Sequence, residues 1–356
     1  MIYIITSSLS LLLLYMGRKI NKRQRWIIYC LAAISPIITA ALRYKNGADY
    51  FMYLRMFEIY NRNNATIASF HSIKSTEFGF FILIRVCGVL FGSNYYLYFG
   101  LIASIICSFY YAGFCRQSKL IVLSGLLFFI TGTYFDTFNG LRQYIAAGII
   151  FFSIQYIVDG KFWKYLIFVL FASTFHYTAL LMIPVYWIRN LKIDQEKAAI
   201  IVIVLLLGGA LIFNLVKLTL SFTRYKYYLS SAEFEVVPTL NTILTTTIVS
   251  SIVFVYFWLK RVRPTYKMQI FLNLQLLAWC SALLSISVPL AMRIQYYFVP
   301  LQILTIPAFL KEVKDRKTRL ILGFLIIFVF IVITVYGISK LGWFTAWPYH
   351  YYFDYR

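Results

Sequence analysis

Runs of apolar residues separated by short polar segments recur along the whole 356-residue chain. Most runs are about 15 to 21 residues long, close to the roughly 20 that a helix needs to cross the hydrocarbon core of a bilayer. Because lipid offers the backbone no hydrogen bonds, segments that cross it fold as helices or as closed barrels. Runs of this length favour helices. The pattern therefore predicts an all-α polytopic membrane protein, a single domain over residues 1–356 with about 12 transmembrane helices.

Most of the predicted helices coincide with single apolar runs. They cover Ile2–Met16, Trp26–Leu42, Asn94–Phe114, Leu120–Phe135, Leu141–Val158, Ala198–Phe213, Thr239–Leu259 and Leu320–Ser339, and two further helices meet near Ser287–Arg293.

Two apolar segments do not fit a single straight span. Glu77–Phe91 is short and is interrupted by Arg85 and Gly88, so we interpret it as a re-entrant or interfacial helix. Tyr165–Ile188 is broken by Ser173–His176. Two short spans with a turn at this break would keep both charged flanks of the segment on one side of the membrane.

Composition supports the membrane interpretation. Hydrophobic residues make up 61% of the chain and charged residues only 13%, with a mean hydropathy of +0.76. The net charge of +22 would point to nucleic acid in a soluble protein, but the basic residues cluster beside apolar runs in Gly17–Arg25, Lys260–Lys267 and Lys311–Arg319. Such clusters are typical of cytoplasmic loops, so we expect no nucleic-acid partner. The five cysteines lack the spacing of a zinc site, and no metal or cofactor is predicted.

With these loops inside, the longest polar segment, Arg43–Thr76, lies on the outer side. Within it Tyr50, Tyr53, Phe57 and Tyr60 recur at helical spacing, which predicts an amphipathic helix on the outer surface. Residues able to do chemistry converge on the same side from separate parts of the chain. They are Arg43, Asp49, Glu77, Asp136, Arg142, His176 and Arg293, together with His71 and His350.

Arg142 lies in Asp136–Tyr144, between two apolar runs. Charge at the hydrocarbon edge is costly unless it pairs or serves a polar cavity, which makes Arg142 a functional candidate, with an interfacial anchor as the alternative. Arginine forks bind phosphate and diphosphate oxygens in pairs, so Arg43, Arg142 and Arg293 could together hold a lipid-linked diphosphate. A carboxylate or His176 could take the proton from an attacking hydroxyl.

Several of these residues stand in short motifs. They are Arg43-Tyr-x-x-Gly47-x-Asp49-Tyr50-x-x-Tyr53, Glu77-Phe-Gly-Phe80, Asn139-Gly-x-Arg142-Gln143-x-Ile-Ala146, Phe175-His176-x-x-Ala179-Leu180 and Arg293-x-x-x-Tyr297. In this order and over most of the chain, they resemble the EpsG family of Wzy-type polysaccharide polymerases. The resemblance implies a metal-independent enzyme of the bacterial inner membrane that joins undecaprenyl-diphosphate-linked oligosaccharide repeat units at the outer, periplasmic face. Its product would be O-antigen, capsule or exopolysaccharide.

The resemblance to the family implies functional roles first for Arg142, His176 and Asp49. We expect Arg142 and Arg293, helped by Arg43, to bind the diphosphate. Asp49 or His176 would serve as general base, with Glu77 as the substitute. Supporting roles are expected for Tyr50, Gln143 and Tyr297. Besides the lipid-linked oligosaccharide and the bilayer, the expected partners are chain-length regulator and flippase proteins.

Three other functions compete with polymerisation. An O-antigen ligase or another glycosyltransferase on lipid-linked sugars is the nearest, although a ligase typically shows one large outer loop. A flippase or transporter would need charges deep inside spans and an internal repeat of helices, whereas the charges here sit at span ends. A membrane O-acyltransferase is compatible with His176.

Overall fold

The computed structural model describes residues 1–61, 76–222, 240–288 and 291–355. In these ranges the chain is helical, and its β pairing is an isolated antiparallel bridge between Arg43 and Tyr351. The all-α class is therefore confirmed. His71 and most of the predicted outer segment Asn214–Pro238 lie outside the described residues.

The α-helices are numbered in chain order. They are α1 Ile2–Lys19, α2 Lys22–Ala41, α3 Tyr50–Asn61, α4 Phe78–Phe91, α5 Tyr95–Gln117, α6 Ile121–Ile130, α7 Thr133–Asp136, α8 Leu141–Val158, α9 Phe162–Ser173, α10 Gln195–Ser221, α11 Leu240–Lys260, α12 Tyr266–Ser287, α13 Ala291–Phe298, α14 Gln302–Glu312 and α15 Arg316–Lys340. Among the described residues, 3-10 helices cover Tyr177–Asn190, Val299–Leu301, Trp343–Thr345 and Tyr352–Tyr355.

Seven of the described helices are long and apolar enough to cross a membrane, namely α2, α5, α8, α10, α11, α12 and α15. Three more, α4, α6 and α9, are apolar but have only 10 to 17 residues. The chain is thus a multi-pass membrane protein, but the predicted number of about 12 spans is not confirmed.

Two predicted spans are shortened by local backbone features. The apolar run Leu120–Phe135 is interrupted after α6, because Gly132 adopts a left-handed conformation with φ 85° before the single turn of α7. The span after Arg293 is interrupted at Val299–Leu301, where Pro300 lacks the N–H that a continuous α-helix needs. The predicted break at Ser173–His176 is confirmed, since α9 ends at Ser173 and a 3-10 helix starts at Tyr177.

The described chain divides into two compact units, residues 1–183 with 334–356 and residues 184–333. In the first unit α8 is packed against α5 and α9, and α2 is packed between α1 and α5. Gly148 on α8 lets α5 approach closely, since a Cβ there would lie 3.4 Å from side-chain atoms of Phe109 and Tyr110. In the second unit α12 packs against α10, α11, α13 and α14. The prediction of a single domain stays a prediction.

The predicted amphipathic helix exists as α3, and its buried residues are the four of the apolar stripe: Tyr50, Tyr53, Phe57 and Tyr60. Two of them stack on α5, with ring centroids 4.8 Å apart for Tyr50 and Phe99 and 4.5 Å apart for Phe57 and Tyr98. Because these contacts involve the first turns of α5, α3 lies at the end of the first unit where α5 begins.

Candidate active site

Three ionisable side chains from separate segments of the first unit form one cluster. Nη1 of Arg142 lies 2.7 Å from Oε2 of Glu77, and Nδ1 of His176 lies 2.8 Å from the other carboxylate oxygen, Oε1. Glu77 therefore bridges a cation and an imidazole with its two oxygens. The cluster joins residues that are 65 and 99 positions apart in the sequence.

Each member of the cluster sits at a helix end. Glu77 directly precedes α4, Arg142 is the second residue of α8, and His176 follows the end of α9. The helices fix the positions of these terminal residues. Their side chains do not pack along the side of a helix, so they can point toward one another. The start of α8 and the end of α9 are neighbours because these two helices pack together antiparallel across a short connection.

Gly79 lets α4 approach the segment that carries His176. The N–H of Gly79 donates a hydrogen bond to the carbonyl oxygen of Thr174 at 2.8 Å. A Cβ at position 79 would lie only 2.8 Å from this same oxygen, which is closer than real side chains come to a backbone atom. A glycine two residues after Glu77 is therefore required to bring the carboxylate against the imidazole.

The contacts of Glu77 favour the ionised form of its carboxyl group. Burial alone would raise its pKa, but the hydrogen bond from His176 and the charge of Arg142 outweigh burial and hold the pKa of Glu77 below its usual value. An ionised carboxylate only accepts hydrogen bonds, so Nδ1 of His176 must be the donor. In the neutral imidazole this tautomer puts the lone pair on Nε2, which is buried and has no hydrogen-bond partner among the described residues.

Exposure differs across the cluster. The side chain of Arg142 is 22% exposed, whereas Glu77 and His176 are 7% and 11% exposed. The carboxylate is thus enclosed, and the guanidinium reaches toward the surface of the first unit. Arg142 is therefore the member of the cluster that is most accessible to a charged ligand.

Tyr53 and Thr76 complete the surroundings of Arg142. The buried hydroxyl of Tyr53 is within hydrogen-bonding range of the Arg142 guanidinium and backbone, and Thr76 Oγ1 lies 3.5 Å from Arg142 Nη1. Burial raises the pKa of Tyr53, against the opposing effect of Arg142, so this phenol stays protonated at neutral pH. Neither residue was predicted as part of the site, although Tyr53 and Gly79 stood in the motifs that showed the resemblance.

Asp49 is connected to the cluster through the backbone. Its Oδ2 accepts a hydrogen bond of 2.8 Å from the N–H of Gly140, the residue that precedes α8 with a left-handed φ of 50°. The carboxylate thus lies at the N-terminal, positive end of the helix that carries Arg142. In this position Asp49 supports the first turn of α8.

Arg43 lies apart from the cluster and is almost fully buried, with 2% exposure. Its guanidinium carbon lies 4.7 Å from the ring centroids of both Phe99 and Phe138. Nη1 donates to the carbonyl oxygen of Ala40 at 2.6 Å, and Nε donates to that of Asn46 at 3.2 Å. Through these contacts Arg43 stabilises the loop between α2 and α3.

The remaining predicted residues occupy different places. Tyr50 is buried against Phe99, and Gln143 is buried on α8. Asp136 is hydrogen-bonded to Tyr144. Arg293, half-buried on α13, and Tyr297, buried one turn later, belong to the second unit. The structure therefore brings together Glu77, Arg142 and His176 and ties Asp49 to the same helix start.

No group of three or more His, Cys, Asp and Glu side chains that could hold a metal ion occurs in the part of the chain that the structure describes. The prediction of a reaction without metal stays a prediction.

Comparison with known proteins identifies the family. The model of the EpsG family matches residues 26–351, which is nearly the whole chain and includes every member of the cluster. Neither the curated proteins nor the solved structures gave a match. Since the match extends over far more than half of the sequence, the chain belongs to the EpsG family, a family of Wzy-like polysaccharide polymerases.

Proposed function

We propose that this protein joins oligosaccharide repeat units carried on undecaprenyl diphosphate, at the outer face of the bacterial inner membrane. The growing glycan leaves its lipid diphosphate and is transferred to a hydroxyl of the next lipid-linked unit. Undecaprenyl diphosphate is the leaving group. The observation that supports the proposal is the bridge from Arg142 through Glu77 to His176, in which a guanidinium and an imidazole contact the two oxygens of one carboxylate.

Arg142 binds the diphosphate of the donor in this proposal. Its guanidinium has five N–H donors in a rigid fork, so it can keep its contact with Glu77 while it binds phosphate oxygens. Glu77 holds the fork in place, and the positive end of α8 adds to the local field. Negative charge develops on the leaving diphosphate as the glycosidic bond breaks, and a fixed cation at this point lowers the barrier.

His176 accepts the proton of the attacking hydroxyl. The acceptor oxygen forms a bond to the anomeric carbon of the donor, the bond from this carbon to the diphosphate oxygen breaks, and the hydroxyl proton passes to Nε2 of His176. Glu77 keeps Nδ1 protonated and stabilises the imidazolium that results. This assignment makes Glu77 a positioning residue, because a carboxylate with a lowered pKa is a weak base.

The other predicted residues receive narrower roles. Asp49 supports the start of α8, and Arg43 holds the loop that leads to Asp49. Arg293 remains a predicted ligand of the diphosphate. Chain-length regulator and flippase proteins remain predicted partners. A metal is not part of the proposed step, since arginine can balance the charge of the leaving group.

The polysaccharide gel profile of a host that lacks the gene tests this proposal. We expect complementation with wild type to restore a ladder, and His176→Ala or Arg142→Ala to leave a single-repeat band while the variant is present in the membrane. Arg116→Ala is the matched control, since Arg116 is exposed in the last turn of α5, at the other end of this helix from the turns that contact α3. A full ladder from either site variant would contradict the proposal, and a host without any repeat unit on the outer face would favour a flippase.

A further inference from the structure

Five aromatic side chains from three segments of the first unit form a cluster that remains partly exposed. We name it the aromatic platform, and its members are Tyr44, Tyr96, Tyr351, Tyr352 and Phe353. Tyr352 is central, with ring centroids 5.3 Å from Tyr96 and 6.4 Å from Tyr44. Phe353 lies 6.2 Å from Tyr96 and is 47% exposed, and Tyr351 is 37% exposed. Rings that pack together usually bury themselves, so exposed faces here are available to another molecule.

Backbone hydrogen bonds fix the platform in place. The N–H of Tyr352 donates to the carbonyl oxygen of Leu42 at 2.9 Å, and the N–H of Tyr44 donates to that of His350 at 2.9 Å. Tyr96 lies in the first turn of α5. The C-terminal segment is therefore anchored where α2 ends and α5 begins, which makes the platform a preformed surface.

The platform is connected to the candidate active site through Tyr50 and Asp49. The ring of Tyr44 contacts that of Tyr50 at 5.9 Å, and Tyr50 follows Asp49, whose carboxylate binds the start of α8. One charged group lies against Tyr44, and another is bonded to the residue before Tyr96. Nζ of Lys45 lies 5.1 Å from the Tyr44 ring, and the exposed carboxylate of Glu58 accepts a hydrogen bond of 3.3 Å from Tyr95, the neighbour of Tyr96.

We propose that the aromatic platform binds the glycan portion of the substrate, which extends the proposed function and rests on it. The C–H groups on one face of a sugar ring carry partial positive charge and pack well on the negative face of an aromatic ring. Hydroxyl groups at the edge of the sugar find partners such as the Tyr hydroxyls and Glu58. A belt that only anchors the protein in lipid headgroups does not require rings from three segments to pack together, so the contacts favour a glycan.

Binding of a lipid-free glycan tests the proposal without catalysis. The probe is the repeat-unit oligosaccharide cleaved from the host's own polysaccharide, titrated into purified protein by calorimetry. We expect Tyr96→Ala combined with Phe353→Ala to weaken binding roughly tenfold, given what aromatic contacts contribute. Tyr96→Phe, which retains the ring, should bind within about threefold of wild type. Tyr336→Ala, at an exposed tyrosine of α15, is the matched control.

The same titration separates this inference from the proposed function. Tyr336→Ala should bind the oligosaccharide and polymerise as wild type does, whereas His176→Ala should fail to polymerise. Equal binding by wild type and the double variant would overturn the proposal that the platform binds the glycan. An equal loss of binding in the double variant and in Tyr336→Ala would overturn it as well. A protein that binds the oligosaccharide through these rings but makes no polymer from lipid-linked units would refute the proposed function and leave the glycan site standing.

Discussion

Oε1 of Glu77 accepts a hydrogen bond from Nδ1 of His176 at 2.8 Å, although the two residues are 99 positions apart in the sequence. The same carboxylate holds Arg142 through its other oxygen at 2.7 Å. Because the carboxylate is ionised, it sets both the tautomer of the imidazole and the direction of the guanidinium. One residue thus controls the geometry of the proposed base and of the proposed anion-binding group.

Replacing Glu77 should impair the reaction even though it does not touch the reacting atoms. Glu77→Gln keeps an acceptor for the Nδ1 proton but loses the charge that holds Arg142 and stabilises the imidazolium. We expect the coupling rate to fall by roughly 10²-fold, within the range for impaired acid–base catalysis. The measurement is the initial rate of coupling by purified protein, with Glu196→Gln, an exposed glutamate of α10, as the control. Unchanged coupling by Glu77→Gln would remove Glu77 from the mechanism.

Stability should depend on pH through the same carboxylate. The pKa of Glu77 is lower in the folded protein than the value of about 4.3 expected for an unfolded chain. The stabilisation is therefore fully present above the unfolded pKa and is lost as the pH falls through the folded pKa. We expect wild type to melt at a higher temperature than Glu77→Gln at pH 7, and the difference to shrink below about pH 4. A difference that stayed constant between pH 7 and pH 3 would show that the charge of Glu77 contributes nothing.

Gly79→Ala should separate α4 from the segment of His176. The added Cβ would meet the Thr174 carbonyl oxygen at 2.8 Å, and backbone cannot move aside as a flexible side chain can. Overpacking of this kind costs about 1–3 kcal/mol, and here it should also lengthen the contact between Glu77 and His176. Melting temperature and coupling rate should both fall. Gly208→Ala is the control, because a Cβ there meets nothing within 4 Å.

Asn46 should hold the C-terminal segment. Its side-chain N–H groups donate to the carbonyl oxygens of Ala346 at 3.1 Å and Pro348 at 2.8 Å, and its Oδ1 accepts from the N–H of His350 at 2.8 Å. Asn46→Ala removes these three hydrogen bonds, and a typical hydrogen bond contributes about 0.5–1.5 kcal/mol to stability.

We expect Asn46→Ala to release the C-terminal segment to carboxypeptidase and to weaken oligosaccharide binding by the aromatic platform. Asn21→Ala is the control, because Asn21 is exposed before α2 and its side chain makes no capping bond there. Equal resistance of wild type and Asn46→Ala to the protease would show that other contacts hold the segment.

The sequence predicts helices well where one apolar run forms one helix. Leu141–Val158 has the same bounds in the prediction and in the structure, and the apolar stripe from Tyr50 to Tyr60 correctly predicts α3. The sequence predicts helices poorly where a backbone conformation interrupts an apolar run, as at Gly132. The apolar side chains continue across the interruption, so the pattern does not show it. The number of spans depends on such interruptions.

For the site, the sequence supplies candidates but not their contacts. Glu77, Arg142 and His176 were each expected, and their pairing depends on the close approach of α4 at Gly79, which no local pattern encodes. Arg43 shows the converse. An arginine beside an apolar run has the same sequence signature whether it faces a ligand or, as here, lies between two phenyl rings. Tyr53 was predicted as part of an apolar stripe and stood in a motif, but no role at the site was assigned to it, although its hydroxyl reaches Arg142.

The most direct test is the initial rate at which purified protein in liposomes couples lipid-linked repeat units, compared between wild type and His176→Ala. If His176 is the base that Glu77 orients, the rate should fall by about 10²–10⁴-fold while the protein keeps its melting temperature within a few degrees. The product should then remain a single repeat unit on its lipid. Coupling by His176→Ala at the wild-type rate would contradict the assignment of the cluster as the active site.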